Sequence, residues 1–273
     1  MLRLCVSGLG KAGIQTAKYL FGIPDVHLVS AICSPGSSKA GRDLGEIVTG
    51  MGKEVPVYPA DQIEPCVFQT KPDVVIDFST PEASLPNAAV FARMGINLVI
   101  GTTGFSEPQE ELFDRIARKY PIGLIYAPNI TRGVNAMMLL TEIAARILES
   151  YDFEIVEMHH KRKKDIPSGT ALKIADSIEN RSTSGPLRRH DIPISSVRAG
   201  GIVGIHKVML VGENDMIELT HQSFSRDAFA EGALHAARFI QNKRGVFKMR
   251  DALQYDRVLT EFVEEHTRIP MEE

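Results

Sequence analysis

The stretch "CVSGLGKAGIQTA", residues 5–17, sets Gly8, Gly10 and Gly13 between a short apolar run and a helical pattern. Each glycine has its own use if a phosphate-bearing ligand sits there. The first permits the tight turn out of a strand, the second lets a pyrophosphate approach the backbone, and the third lets the helix pack close. The helix start then offers free N–H groups and a partial positive charge to the phosphates. Three glycines at this spacing also suit a tight turn that holds nothing, so the residues around them decide.

Around them, short apolar runs alternate with longer helical patterns. Strands are expected at 2–7, 27–33, 73–78, 97–101 and 123–126, rich in Val, Ile and Leu on both faces, as in a parallel sheet covered by helices. Helices are expected near 12–21, 82–94 and 106–119. Strand, helix, strand, repeated, predicts a doubly wound sheet. After residue 130 the pattern changes. A long helix near 133–149 leads to the strand "FEIVEMHH", then a helix near 168–180 and a polar loop through Pro193. Two longer strand patterns, "IVGIHKVMLVG" and "MIELTHQSF", flank the turn signal Gly212, Glu213, Asn214, Asp215, and a helix follows near 227–241. The predicted class is α/β. A Rossmann-type doubly wound parallel sheet covers 1–130, with 242–273 returning to it, and an α+β domain with an antiparallel or mixed sheet covers 131–241. Val258, Leu259, Phe262 and Val263 recur at helical spacing, so a short amphipathic helix docked on the protein is expected at the end.

Composition narrows the function. The chain has 273 residues, 44% hydrophobic and 24% charged, with net charge −3, an ordinary balance for a protein with a real core. Cations at 161–164 are therefore a local cluster, which argues against nucleic-acid or membrane attraction through a broad basic surface. No aromatic stacking platform adjoins them, which weighs against RNA as well. The most hydrophobic long segment, 133–150, is broken by Thr141, Glu142 and Arg146 and reads as a buried helix. No signal peptide is expected in "MLRLCVSG". Cys5, Cys33 and Cys66 are odd in number and form no C-x-x-C pair, which fits a reduced, cytoplasmic protein.

A dinucleotide site usually places an acidic residue about 20 positions past its last glycine, bonded to the adenine ribose. That count lands on Cys33, followed by "SPGSSKAGR", with no carboxylate. Ser34, Ser37 and Ser38, with Lys39 and Arg42, can receive a 2′-phosphate there or form a solvated loop. Gly101, Thr102 and Thr103, and the backbone of Ala127, Pro128 and Asn129, end later strands. Ligands of open α/β sheets sit outside such strand ends, so these are candidate nicotinamide-side contacts or plain turn residues.

"EMHHKRKKDIPSGTA", residues 157–171, carries a second signal. If the strand stays extended through the histidines, His159 and His160 point to opposite faces and have different tasks. No metal is expected, because neither H-E-x-x-H nor a Cys/His spacing accompanies them. Pro167 and Ser168 mark a helix start with Ser168 as N-cap. Ala171, Ile174, Ala175 and Ile178 form its core-facing stripe, and Gly169 and Thr170 offer free N–H groups to an anion. Imidazole, lysine and a helix N-terminus together make an anion-binding, proton-donating site for a small carboxylate. Two or three of the four cations are expected in solvent.

The motif H-H-x-x-K-x-D-x-P-S-G-T-A, His159 to Ala171 here, resembles the signature of the dihydrodipicolinate reductase (4-hydroxy-tetrahydrodipicolinate reductase) family of bacterial lysine biosynthesis. "VVIDFS", "GTTG", "APN" followed by "GVN", and "GGIVGIHKV" fall in the same order, so the likeness covers nearly the whole chain. The resemblance implies a reductase in which NADPH, NADH or both supply hydride to a cyclic dicarboxylate. His159 would be the proton donor and Lys163 the catalytic, substrate-binding lysine. His160, Ser168, Gly169 and Thr170 would meet the substrate. Gly8, Leu9, Gly10, Lys11, Ala12, Gly13, Cys33, Ser34, Lys39, Gly101, Thr102, Thr103, Ala127, Pro128, Asn129 and Ile130 would meet the cofactor. It also implies a homotetramer joined through the second domain's sheet. Cys33 and Ser34 stand where the family often has an acid, and 254–273 extends past its usual end. Two other readings stay open: a Rossmann reductase of another dicarboxylate or imine, and a non-catalytic NAD(P)-binding protein.

Overall fold

The structure is a computed structural model that describes residues 1–179 and 192–267. It divides into two units, Met1–Ile130 with Phe229–Glu273, and Thr131–Ala228.

The first unit opens with β1 (Leu2–Ser7), α1 (Lys11–Leu20), β2 (Val26–Cys33), α2 (Leu44–Thr49), β3 (Val57–Pro59), α3 (Ile63–Thr70) and β4 (Val74–Asp77). It continues with α4 (Pro81–Arg93), β5 (Asn97–Ile100), α5 (Glu107–Lys119) and β6 (Gly123–Tyr126). The second unit holds α6 (Arg132–Ile147), β7 (Asp152–His159), α7 (Gly169–Glu179), β8 (Ile194–Arg198), β9 (Gly204–Val211) and β10 (Met216–Ser223). The chain then runs through α8 (Asp227–Ile240), β11 (Gly245–Phe247), α9 (Met249–Ala252) and α10 (Tyr255–Thr267).

Local chemistry sets these boundaries. α5 starts at Ser106 in a reciprocal cap with Gln109, has Glu107 and Glu110 in its first turn, and ends on Arg118 and Lys119. Those charges complement the helix dipole at both ends. The first unit's strands make a seven-stranded sheet in the order β11-β6-β5-β4-β1-β2-β3, all parallel. Both faces are apolar and covered: Leu4, Val6 and Ile76 lie in one core, Cys5, Val75 and Leu98 in the other. Fully buried Phe91 and Phe113 each contribute roughly 1.5–3 kcal/mol.

The return to the first unit begins at Phe229, not at 242 as expected. The reason is α8, whose Ala233, Leu234, Ala236, Ala237 and Ile240 join the core of that unit. Its small residues let the helix lie close, a packing property that periodicity alone does not assign to one sheet or another. The short β3, α2, α3, β8 and β11 were also absent from the sequence expectation. The expected polar loop falls mostly on 180–191, outside the described residues. The second unit's sheet is mixed, in the order β10-β9-β7-β8, with β7 antiparallel to β9 and parallel to β8. One face packs Phe153, Ile155, Val208 and Leu210 against Val134, Ala171, Ile174 and Ala175. α10 forms as expected, but none of its residues is fully buried: Tyr255 and Leu259 are half-buried, Asp256 meets Arg250 of α9 at 3.2 Å, and Val258, Phe262 and Val263 are 54%, 58% and 54% exposed.

Candidate active site

A cleft of about 350 Å³ opens at the carboxyl ends of β1, β2 and β4 in the first unit. Gly8, Leu9, Gly10, Cys33, Ser34 and Lys39 line it, joined by Phe78, Ser79 and Thr80 from the turn after β4, which sequence reasoning overlooked. Gly8 has φ +88°, and a Cβ there would stand 2.5 Å from the Phe78 carbonyl oxygen. A Cβ on Gly13 would run into the carbonyl oxygen of Gly8. At Gly10 a Cβ would meet nothing within 4 Å, so this glycine borders open space. Gly10 is also the N-cap of α1 and offers no side-chain bond, leaving the N–H groups of Lys11, Ala12 and Gly13 without an intrahelical acceptor. Two glycines thus close the turn and one leaves room, as a pyrophosphate cradle requires.

The remaining candidates of this unit lie along the same sheet edge without lining the cleft. Gly101, Thr102 and Thr103 follow β5, and a Cβ on Gly101 would run into the Phe78 ring. Thr102 is buried and donates to the Asp77 carboxylate at 2.7 Å, which also accepts from Ser79 at 3.0 Å. Its hydroxyl is committed to shaping the edge; Thr103 is exposed. After β6, Ala127 and Ile130 are core residues, while Pro128 and Asn129 are half-buried. Cys33 is only 4% exposed and its burial raises the thiol pKa, so the polar rim beside it is Ser34, Ser37 and Lys39. Among the described residues no carboxylate lines the cleft.

In the second unit β7 alternates cleanly, and Glu157 and His159 end its buried face. Glu157 is fully buried. Its carboxylate meets His159 Nδ1 at 2.6 Å and receives both Arg198 terminal nitrogens, at 2.8 and 2.6 Å. Burial alone would raise this carboxyl, but the bonds from Arg198 and His159 overcome that and hold it at about 2. His159 moves the other way. Burial lowers its pKa, helped by the charges of Lys163 and Arg198 and opposed by Glu157. Across the sheet the His206 ring lies 5.1 Å from that of His159, and burial, then the charge of His159, pushes it down to about 3.

Of the cations at 161–164, only Lys163 turns inward; Lys161, Arg162 and Lys164 are exposed. Lys163 Nζ lies 2.8 Å from the Asp165 carboxylate. Burial opposes ionisation of Asp165, yet Lys163 and the Gly169 N–H lower its pKa. Asp165, the chain's own carboxylate, thus lies between Lys163 and the start of α7, where a small anion was expected. Ser168 is the cap: its hydroxyl accepts from Ala171 N–H at 3.2 Å and shares a 3.1 Å hydrogen bond with His206 Nε2. It is 1% exposed, so the outward groups of the helix start are Gly169 and Thr170. His160 follows the strand, half-buried, with its Nδ1 shielded and unpartnered. Glu157 was legible as the residue two before His159 on the same strand face. Arg198 and His206 were not, because they arrive through sheet register. Among the described residues no cluster of His, Cys, Asp and Glu is placed to hold a metal, and no helix is long and apolar enough to cross a membrane.

Comparison with known proteins covers both parts of the chain. Residues 2–130 match the family model for the dihydrodipicolinate reductase N-terminus, and 133–253 match that for its C-terminus. A 4-hydroxy-tetrahydrodipicolinate reductase of Methanocaldococcus jannaschii is 37% identical over 268 residues, covering 93% of this chain and 97% of its own. One from Ralstonia nicotianae is 39% identical over 268 residues, covering 92% and 99%. Among solved structures, a dipicolinate-bound dihydrodipicolinate reductase from Paenisporosarcina superposes with a TM-score of 0.76 at 28% identity, covering 91% of this chain and 97% of its own. An amine dehydrogenase from Mycobacterium smegmatis, at 16% identity and TM-score 0.68, shares the fold. With both family models matched across 2–130 and 133–253, the chain belongs to the dihydrodipicolinate reductase family.

Proposed function

We propose that His159 and Lys163 carry the chemistry of the family's reaction in this chain. That reaction is the NAD(P)H-dependent reduction of 4-hydroxy-tetrahydrodipicolinate in lysine and diaminopimelate biosynthesis. The cleft fits the cofactor: Gly10 leaves space, the start of α1 offers N–H groups, and Lys39 with Ser34 and Ser37 lies where a 2′-phosphate would reach. Bound there, NADPH or NADH supplies the hydride.

The residues of the second unit do the rest. His159 holds the proton and releases it to the substrate, a step typically worth about 10²–10⁴ in rate. Lys163 exchanges Asp165 for a substrate carboxylate, with Gly169 and Thr170 offering N–H groups and His160 at the side. Ser168 supports them from below by fixing the helix start. Burial and the charge of Lys163 bias His159 towards the neutral form. An incoming dicarboxylate offsets that cationic field, so the acid is charged when substrate is present. The dipicolinate held by the Paenisporosarcina relative is a planar dicarboxylate of the expected size.

The single observation that carries this reading is the inward turn of Lys163 onto an anion at the start of α7. We further place the homotetramer contact on the other face of the second unit's sheet, where Val156, Met158, Val197, Ile205, Met209 and Met216 are half-buried or exposed. We place the protein in the cytoplasm, where its three free cysteines stay reduced. The deciding assay follows NAD(P)H oxidation with substrate generated in situ from pyruvate and aspartate semialdehyde. Turnover is expected; cofactor binding without turnover would defeat the reading.

A further inference from the structure

We propose that Glu157 and Arg198 are positioning residues that set which nitrogen of His159 transfers the proton, an inference that rests on His159 being the acid. Arg198 donates to both carboxylate oxygens of Glu157, at 2.8 and 2.6 Å, and the Ser168 N–H donates to one of them at 3.3 Å. A carboxylate gripped by a guanidinium fork stays ionised, and an ionised carboxylate only accepts hydrogen bonds. Its 2.6 Å contact with His159 Nδ1 therefore requires a hydrogen on Nδ1. The neutral ring then keeps its lone pair at Nε2, which becomes the atom that takes up and delivers the proton. Room for that is provided from β9: a Cβ on Gly204 would stand 3.1 Å from Nε2.

Glu157 also supplies the negative charge an imidazolium needs. The other groups facing His159 are Lys163 from the following loop, Arg198 from β8 and His206 from β9. His221 of β10 lies behind His206, its cross-strand partner. None of these is anionic, and Asp165 is engaged by Lys163 at 2.8 Å. Arg198 has a second task. Its Nη2, one of the two nitrogens that grip Glu157, also donates to the Asp165 carbonyl at 2.7 Å. One guanidinium thus fixes both the carboxylate behind His159 and the loop that carries Lys163. A lysine has no fork with which to do both.

The test measures kcat against pH for the wild-type enzyme, Glu157→Gln and His159→Gln. It adds nitrogen-15 NMR of the histidine rings in the wild-type protein. Glu157→Gln is expected to lower kcat at about pH 7.5 by at least about tenfold, and to move the limb that needs a protonated group about one unit lower in pH. KM for the dicarboxylate should stay within about twofold, because the change is behind the ring and not against substrate. In the wild type, neutral His159 should carry its hydrogen on Nδ1. A uniform kcat loss with an unmoved limb would reduce Glu157 to a structural role, and a hydrogen on Nε2 would overturn the tautomer; either result sinks the proposal. The NMR arm needs no variant, so it decides even if Glu157→Gln fails to fold. A His159→Gln enzyme with wild-type kcat would instead remove His159 from the reaction, a separate failure that leaves the tautomer assignment standing.

Discussion

The cleft of the first unit and the acid cluster of the second are built from opposite materials. The cleft is backbone: Gly8 and Gly13 matter because nothing projects from them, and Gly10 because open space lies beside it. The acid cluster is side chain. It buries Glu157 completely, lets His159 show 9% of its surface, and closes with Arg198 at 12% side-chain exposure. An empty cradle breaks when atoms are added. A buried charge cluster breaks when one partner is removed, because the remaining charge is left uncompensated.

The largest expected effect follows from the first half of that contrast. Gly13→Ala forces a methyl into the Gly8 carbonyl, so the turn must open. Overpacking of this kind costs roughly 1–3 kcal/mol, a Tm fall of at least about 3 °C in a chain this size. NAD(P)H binding by fluorescence titration should be nearly abolished. Gly10→Ala meets no atom within 4 Å and should leave Tm within about 1 °C, while still weakening cofactor binding by about tenfold. Equal effects of the two variants on Tm would show that the glycines are not divided between turn and ligand.

The next effect belongs to the cluster. His159→Gln should lower kcat by about 10²-fold or more and leave cofactor binding intact. Lys163→Ala should damage kcat and KM together, since Lys163 is the one turned-in cation of the run. Lys164→Ala, on an exposed side chain, should change either constant by less than about twofold. Similar losses from Lys163→Ala and Lys164→Ala would mean the run acts as a diffuse field and not through one lysine.

The same contrast explains what the sequence discloses. Gly8, Gly10 and Gly13 lie within six positions, so their shared task is readable as local spacing. So is the run from His159 to Ala171, where strand end, loop and helix cap follow one another. Arg198 is 39 positions beyond His159 and reaches it only because β7 pairs with β8 in one register. No local pattern carries that register, and β8 itself, five residues at a sheet edge, was too short to stand out from the polar loop before it. Likewise α8 carries a clear amphipathic pattern, but which unit it covers depends on the fit of its small residues.

Acid should separate the two regions by stability. His206 has a folded-state pKa of about 3 against an ordinary 6.5. The unfolded chain therefore binds the extra proton first, and the stability present above pH 6.5 is lost as pH falls towards 3. One such group gives a slope of about 1.4 kcal/mol per pH unit. Glu157, at about 2 against 4.5, contributes stability above 4.5 that is lost as pH falls through 2. Loss should therefore begin near pH 6.5 and steepen below 4.5. Urea midpoints from pH 8 to 4 test this, with His206→Gln expected to flatten the upper limb. An unchanged upper limb in His206→Gln would show that this ring is not buried neutral. Within the first unit, the cleft residues offer no counterpart with a comparable histidine shift.

The smallest effect concerns cofactor choice, where the cleft does use charge. Among the described residues Lys39 and Ser34 line it and no carboxylate does, so one cation attracts a 2′-phosphate and the nearest acid, Asp61, acts only from beyond the lining. An exposed Lys–phosphate contact is worth about 1 kcal/mol, and about fivefold follows from that. NADPH should thus serve at least as well as NADH in the wild type, and Lys39→Ala should lower kcat/KM for NADPH by about fivefold while sparing NADH. The converse substitution has to respect burial. A carboxylate at Cys33 would replace a side chain only 4% exposed within the apolar core, and its desolvation would confuse folding with cofactor selection. Ser34 is exposed at the end of β2 and lines the same cleft, so Ser34→Asp places the charge without burying it. That variant should turn preference towards NADH through repulsion of the 2′-phosphate. A wild-type enzyme that strongly prefers NADH, or a Ser34→Asp enzyme whose NADPH/NADH ratio is unmoved, would show that this rim does not read the phosphate and that the cleft is set by backbone alone.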